Sequence, residues 1–198
     1  MGDKKRMGSE SSRIILYSLQ TELVKSIIND NGTTYSRREY VKNKYLESSG
    51  IFITIYDFLV NEAKKLLTKP DEAEYPYFAF RDLYNIEYTS SNLPLKLCVP
   101  LEECLLFDVN DYNKLLTFDY LTFDENEYKN FHNEIEKAGI NTYKIMTSNF
   151  YPMYKTKIIY SWKHLFDKNE KLKKGEYTLA KQGVEAFLWC IKKEWVID

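Results

Sequence analysis

Few residues in this 198-residue chain have types and spacing suited to chemistry. Glu185 is the most distinctive. It stands between Val184 and Ala186 at the start of a run to Ile191 that is otherwise apolar. If that run is a strand, the carboxyl faces a cleft or a polar partner, because a lone buried carboxylate is costly. If it is a helix with Phe187, Leu188, Ile191 and Trp195 as its stripe, Glu185 is a surface residue. The density of aromatic and branched side chains favours the strand. Asp108 and Asp111 form a pair of acids, and paired carboxylates can do acid–base work. Their position before Val109, Tyr112, Leu115 and Leu116 is also that of a helix cap, the reading favoured here. On that reading Asp108→Asn keeps its stability, since Asn caps about as well as Asp.

Gln20 and Thr21 follow the first apolar run, and a helix cap is the simpler role there. Tyr75, Tyr77 and Phe80 can stack on a planar ligand, although such residues more commonly build sheet surface or core. The two histidines, His132 and His164, fall on predicted helices and read as exposed positions. Gly-rich dinucleotide and phosphate loops, the Ser nucleophile elbow and the His-Glu-x-x-His metal spacing are all absent.

The elements that must position these residues are legible from periodicity. Leu93, Leu95, Leu97 and Val99 alternate with Pro94, Lys96 and Cys98, which predicts a strand with one buried face. Pro100 ends it, Cys104 to Phe107 is a second short strand, and Asp108 opens a helix. Ile14 to Tyr17 is the first strand. It leads to a helix capped by Thr21, striped by Leu23, Val24, Ile27 and Ile28, and stopped at Asn31-Gly32. The stretch from Thr33 to Tyr45 stays unassigned. Thr54 and Asp57 suggest another helix start, running to Pro70. Tyr75 to Phe80 is an aromatic strand, placed at an edge by Pro76. Asp82 to Asn92 is a polar loop. Asp124 with Glu127 caps a helix that stops at Gly139, and Pro152 begins another with Ile158, Ile159, Trp162, Leu165 and Phe166 inward. Lys168 to Lys174 reads as a charged loop.

Composition narrows the class. Hydrophobic residues make up 44 % and charged residues 29 %, with a formal net charge of -1. That balance is ordinary for a globular domain and gives no field for nucleic acid or an anionic membrane. Only Arg37 and Arg38, near Tyr35 and Tyr40, hint at nucleic acid. Three cysteines without a Cys-x-x-Cys spacing argue against a zinc or disulfide framework and for a reduced, cytoplasmic setting. No apolar run reaches membrane-spanning length and no signal peptide is evident, so no membrane partner is expected. Residues 1–12 read as a disordered leader or cloning remnant. Residues 13–198 read as a single α+β domain with a helical insertion over about 124–167 and a mixed or antiparallel sheet flanked by helices. The 17 tyrosines suit half-buried clefts and partner surfaces.

From Ile15 to Val196 the chain resembles a bacterial domain-of-unknown-function family (family 3841). The resemblance rests on Leu16-Tyr17-Ser18-Leu19-Gln20-Thr21, Tyr56-Asp57-Phe58-Leu59 and Tyr75-Pro76-Tyr77-Phe78-Ala79-Phe80. It continues through Val99-Pro100 and Leu105-Leu106-Phe107-Asp108 to Ser161-Trp162-Lys163-His164-Leu165-Phe166-Asp167 and Val184-Glu185-Ala186-Phe187-Leu188-Trp189. The family favours Trp where Phe78, Phe80 and Tyr112 stand, His at Asn113, Asn at Thr117, Gln at Glu185 and Glu at Cys190. The order of elements is also similar to small ADP-ribosyltransferase domains, which bind NAD in a cleft between two sheets. They use an Arg or His on the first strand, a Ser or Tyr in the middle and a Glu late. Tyr17 or Gln20 stands at the first of these positions, which departs from the pattern. The similarity implies Glu185 and Gln20 as catalytic candidates. It implies Tyr17, Tyr56 and Tyr75 as ligand-binding candidates and NAD as substrate. Asp108 is a further ligand-binding candidate by its position after the strand, and two histidines without clustered carboxylates lead to no expected metal. The alternative expectation is a non-enzymatic interaction or regulatory module, bacterial or phage, whose partner is another protein.

Overall fold

The computed structural model describes residues 12–46, 49–86, 92–176 and 183–197. The leader expected over 1–12 lies outside these residues except for Ser12, as does the part of the polar loop at 87–91.

Strand β1 (Arg13–Thr21) is longer than its apolar run, and its alternation buries Leu16 and Ser18 on one face. The Thr21 hydroxyl accepts the Val24 amide at 3.4 Å and so caps helix α1 (Glu22–Asn31). Gly32, at φ +76, ends that helix with its amide on the Ile28 carbonyl. The left-handed turn costs an L-residue roughly 1–2 kcal/mol, so glycine belongs there. The unassigned stretch contains strand β2 (Thr33–Tyr35) and helix α2 (Arg38–Tyr45).

Helix α3 (Ser49–Ala63) begins earlier than the Thr54 cap would allow. Thr54 sits inside the helix, and its hydroxyl donates back to the Gly50 carbonyl at 3.2 Å. This is the alternative bond that mid-helix threonines commonly make. Strand β3 (Tyr77–Phe80) follows Pro76 instead of containing it, so the missing amide costs no ladder bond. β3 therefore lies inside the sheet and not at its edge.

Strands β4 (Asn92–Pro100) and β5 (Cys104–Asp108) and helix α4 (Val109–Leu116) follow as expected. Helices α5 (Glu125–Lys137), α6 (Thr142–Thr147) and α7 (Pro152–Ser161), then a tight helical turn Trp162–Phe166, form the next segment. Residues 169–174 are helical, not a loop. Helix α8 (Asn169–Lys174) closes on Gly175 at φ +69, and its Asn169 side chain accepts the Leu106 amide at 2.8 Å. That bond satisfies a donor on the outer edge of β5. The ambiguous tail is extended: β6 (Val184–Leu188), β7 (Cys190–Lys192) and β8 (Val196–Ile197).

The main sheet has six strands in the order β5-β6-β3-β1-β4-β8, and every pairing in it is antiparallel. β2 and β7 form a separate two-stranded pair. Two cores lie against the sheet. Leu16, Leu97, Val99, Ala79 and Leu106 fill one face; Phe107, Phe187, Leu59, Leu115 and Trp162 fill the other, under the helices. Full burial of each such aliphatic side chain contributes about 1.5–3 kcal/mol.

Candidate functional site

Strand register sets the geometry of the site. Phe107 on β5 faces Glu185 on β6, Glu185 faces Phe80 on β3, Phe80 faces Tyr17 on β1, and Tyr17 faces Lys96 on β4. Directly paired residues share a sheet face, so these five side chains form one transverse row. Glu185 and Tyr17 are two strands apart, about 10 Å at a strand spacing of roughly 4.8 Å. The row changes character along its length. Phe107 and Glu185 are buried under the helices, whereas Phe80, Tyr17 and Lys96 are half-buried. Glu185 thus stands where the covered part of the sheet gives way to the more accessible part.

Glu185 is 3 % exposed, and among the described residues nothing hydrogen-bonds or ion-pairs with its carboxyl. Burial alone pushes its pKa up to about 8, because the ionised form loses its hydration. Its surroundings are aromatic. Tyr112 from α4 stacks on Phe78 at 5.1 Å between ring centres and meets Phe107 edge-on at 5.5 Å. Tyr56 from α3 meets Phe78 edge-on at 5.7 Å. The Tyr56 hydroxyl lies within hydrogen-bonding reach of Tyr45 and Tyr112. Burial holds both Tyr56 and Tyr112 phenols well above their ordinary range, and the nearby Glu185 carboxyl adds to the shift. A carboxyl that is mostly protonated at neutral pH, beside neutral phenols, is suited to losing its proton when a positive charge arrives.

Tyr75 borders this cluster, with its ring 5.1 Å from Tyr56 and its hydroxyl donating to Asp57 at 2.7 Å. Burial first, then that bond, raises the Tyr75 pKa. Arg38 lies 5.8 Å over the Tyr75 ring and pairs with Asp57 at 3.1 Å, and Arg37 pairs with Glu74 at 3.4 Å. Both arginines are thus answered by carboxylates.

Two candidates stand apart from Glu185. Gln20 differs from Tyr17 by an odd number of positions, so it leaves β1 on the opposite face. There its amide donates to Ser18 Oγ at 2.9 Å, and Ser18 donates to the Phe78 carbonyl at 2.8 Å. Asp108 lies one position beyond Phe107, where it caps α4 by accepting the Asn110 amide at 2.9 Å. The cap role is accompanied by a partner that sequence spacing does not reveal. Lys168 donates to Asp108 at 3.0 Å and to Asp111 at 2.6 Å, in an almost buried cluster. His132 and His164 are half-buried and lie beside Asp119 and Asp167 respectively. Among the described residues no cluster of His, Cys, Asp or Glu could hold a metal ion, and no helix is long and apolar enough to cross a membrane.

Lys96, Phe107 and Tyr112 join the site through pairing and packing. For Lys96 a sequence signal existed: the alternation of β4 sets it on the face opposite Leu95 and Leu97. Phe107 and Tyr112 carried none, since they are indistinguishable from ordinary core residues.

No curated protein and no solved structure matches the chain. A family model matches residues 15–197, nearly its whole length. The chain belongs to the family described as domain of unknown function DUF3841.

Proposed function

We propose that this protein binds NAD and acts as an ADP-ribosyltransferase-like enzyme, with Glu185 as its working carboxylate. The observation that carries the reading is the row Glu185–Phe80–Tyr17: a late-strand Glu and a first-strand polar residue share one sheet face. Aromatic rings border the carboxyl, as recognition of a planar nicotinamide requires. In the reaction the glycosidic bond to nicotinamide breaks, nicotinamide leaves with the bonding pair, and a nucleophile bonds the anomeric carbon and releases its proton. Ionised Glu185 stabilises the positive charge that develops there. The cationic nicotinamide ring, by approaching, favours the ionised carboxyl, so binding expels a proton near neutral pH. Gln20 supports Ser18 and β3 in this reading and does not touch the ligand.

Calorimetry with NAD and a non-hydrolysable analogue, in two buffers of different ionisation enthalpy, tests the proposal. Binding accompanied by proton release, lost in Glu185→Gln, is expected. No heat at millimolar ligand would sink it.

A second reading, an interaction module, draws on the helices after α4. Phe150 is 85 % exposed, Met153 84 % and Tyr143 62 %. Large apolar side chains clustered in such a segment mark partner surfaces. Partner capture that survives Glu185→Gln but not Phe150→Ala would favour this reading over the enzymatic one.

A further inference from the structure

A cleft of about 630 Å³ lies between α3 and α7, away from Glu185. That volume is within the roughly 300–1,000 Å³ typical of small-molecule sites. The helices create it by their periodicity. Ile55, Leu59 and Ala63 of α3 point into the core, which leaves Phe58 and Lys65 on the adjacent stripe. On the other wall, Ile159, Tyr160 and Lys163 follow the buried Ile158. The Phe58 ring is fixed edge-on against Trp162 at 5.6 Å.

Charge in the cleft is unequal. Lys65 donates to Glu62 at 2.6 Å, and Glu62 is the one carboxylate among the lining residues. Lys163 Nζ sits 3.8 Å from the centre of the Tyr160 ring, and no carboxylate of the described residues pairs with it. A smaller recess of about 310 Å³ shares Glu62, Lys65 and Lys163 and continues the trough toward His164 and Asp167, whose carboxylate lies 2.6 Å from the His164 ring. An aromatic wall next to a carboxylate-free ammonium is complementary to a flat apolar body that carries an acid group. A bare phosphate would leave the aromatic wall uncovered, and a neutral ring would leave the ammonium, which rests on Tyr160, without a counter-charge.

We propose that the α3–α7 cleft binds a small planar organic anion, its ring against Phe58, Ile159 and Tyr160 and its acid group at Lys163 and Lys65. Both lysines also follow helix C-termini, where a cation offsets the helix dipole. That role affects stability and not ligand binding, so melting is recorded beside affinity.

The probe is anilinonaphthalene sulfonate, titrated by fluorescence into the full chain, with uncharged phenylnaphthylamine as control. Saturable binding at one site is expected. Lys163→Gln should weaken it about tenfold, the scale of a lost charge-assisted hydrogen bond, while the melting temperature moves little. Thr156→Trp, which fills the cleft from an exposed helix position, should abolish it. Glu185→Gln should leave it unchanged, so the result stands or falls apart from the NAD reading. Non-saturable fluorescence, equal affinity for the uncharged control, or full affinity in Lys163→Gln or Thr156→Trp would each overturn the proposal.

Discussion

The Nζ of Lys168 lies 2.6 Å from Asp111, although 57 positions separate the two residues. Asp108 supplies a second contact at 3.0 Å, and both acids are 6 % exposed. Desolvation alone would lower the Lys168 pKa, but the bonds to Asp111 and Asp108 outweigh it and raise the value. Removal of the cation leaves two like charges buried together. Lys168→Met should therefore cost about 3–5 kcal/mol, and Lys168→Arg clearly less. Urea midpoints for the two variants decide it, and a Met variant as stable as the wild type would count against a structural cluster.

Asp108→Asn is not neutral in this setting. Asn keeps the cap on α4 but loses its charge toward Lys168, which should cost roughly 1.5–3 kcal/mol. Asp108→Ala loses the cap as well, a further 0.5–2 kcal/mol or so. In a double-mutant cycle with Lys168→Met, the Asn penalty should shrink while the extra Ala penalty persists.

Glu185 gives the fold a pH dependence of definite sign. Its carboxyl pKa of about 8 lies above the ordinary value of 4.5, so between these limits the folded state holds more protons than the unfolded one. Its contribution is fully present below pH 4.5, falls as pH rises toward 8, and levels off above. Each tenfold change in proton affinity on folding is worth about 1.4 kcal/mol, so the loss amounts to a few kcal/mol. Glu185→Gln should remove this slope, so the variant gains on the wild type as pH rises from about 4.5 to 8. Denaturation curves collected across that range, showing parallel pH profiles for the two proteins, would contradict the assignment.

The three cysteines are free, and their burial separates them: Cys104 and Cys190 are buried, Cys98 is half-buried. Burial also pushes the Cys104 thiol up to about 12 and the Cys190 thiol up to about 11, which suppresses the reactive thiolate. A disulfide reagent at pH 8 should modify Cys98 first in the native protein and the other two only on unfolding. Cys98→Ser should remove the early phase, as absorbance of the released thiolate will report.

Local chemistry determined much of this protein. Thr21, Asp108 and Asp124 cap the helices that their positions announced, Gly32 and Gly139 take left-handed turns, and the alternation around Leu95 and Leu97 makes a strand. Each depends on bonds within a few residues, so each is readable in one dimension. The family likewise followed from motifs spread along the chain. Tertiary structure decided what depends on pairing. Aromatic and branched density favoured a strand over a helix for Val184 to Leu188, and β3 and β5 settle it by supplying ladder partners on both sides. Lys168 had no sequence neighbour to explain it, because its acids arrive from β5 and α4. Glu185 and Tyr17 meet in one row while Gln20 turns away, since a strand has two faces and only register says which faces coincide.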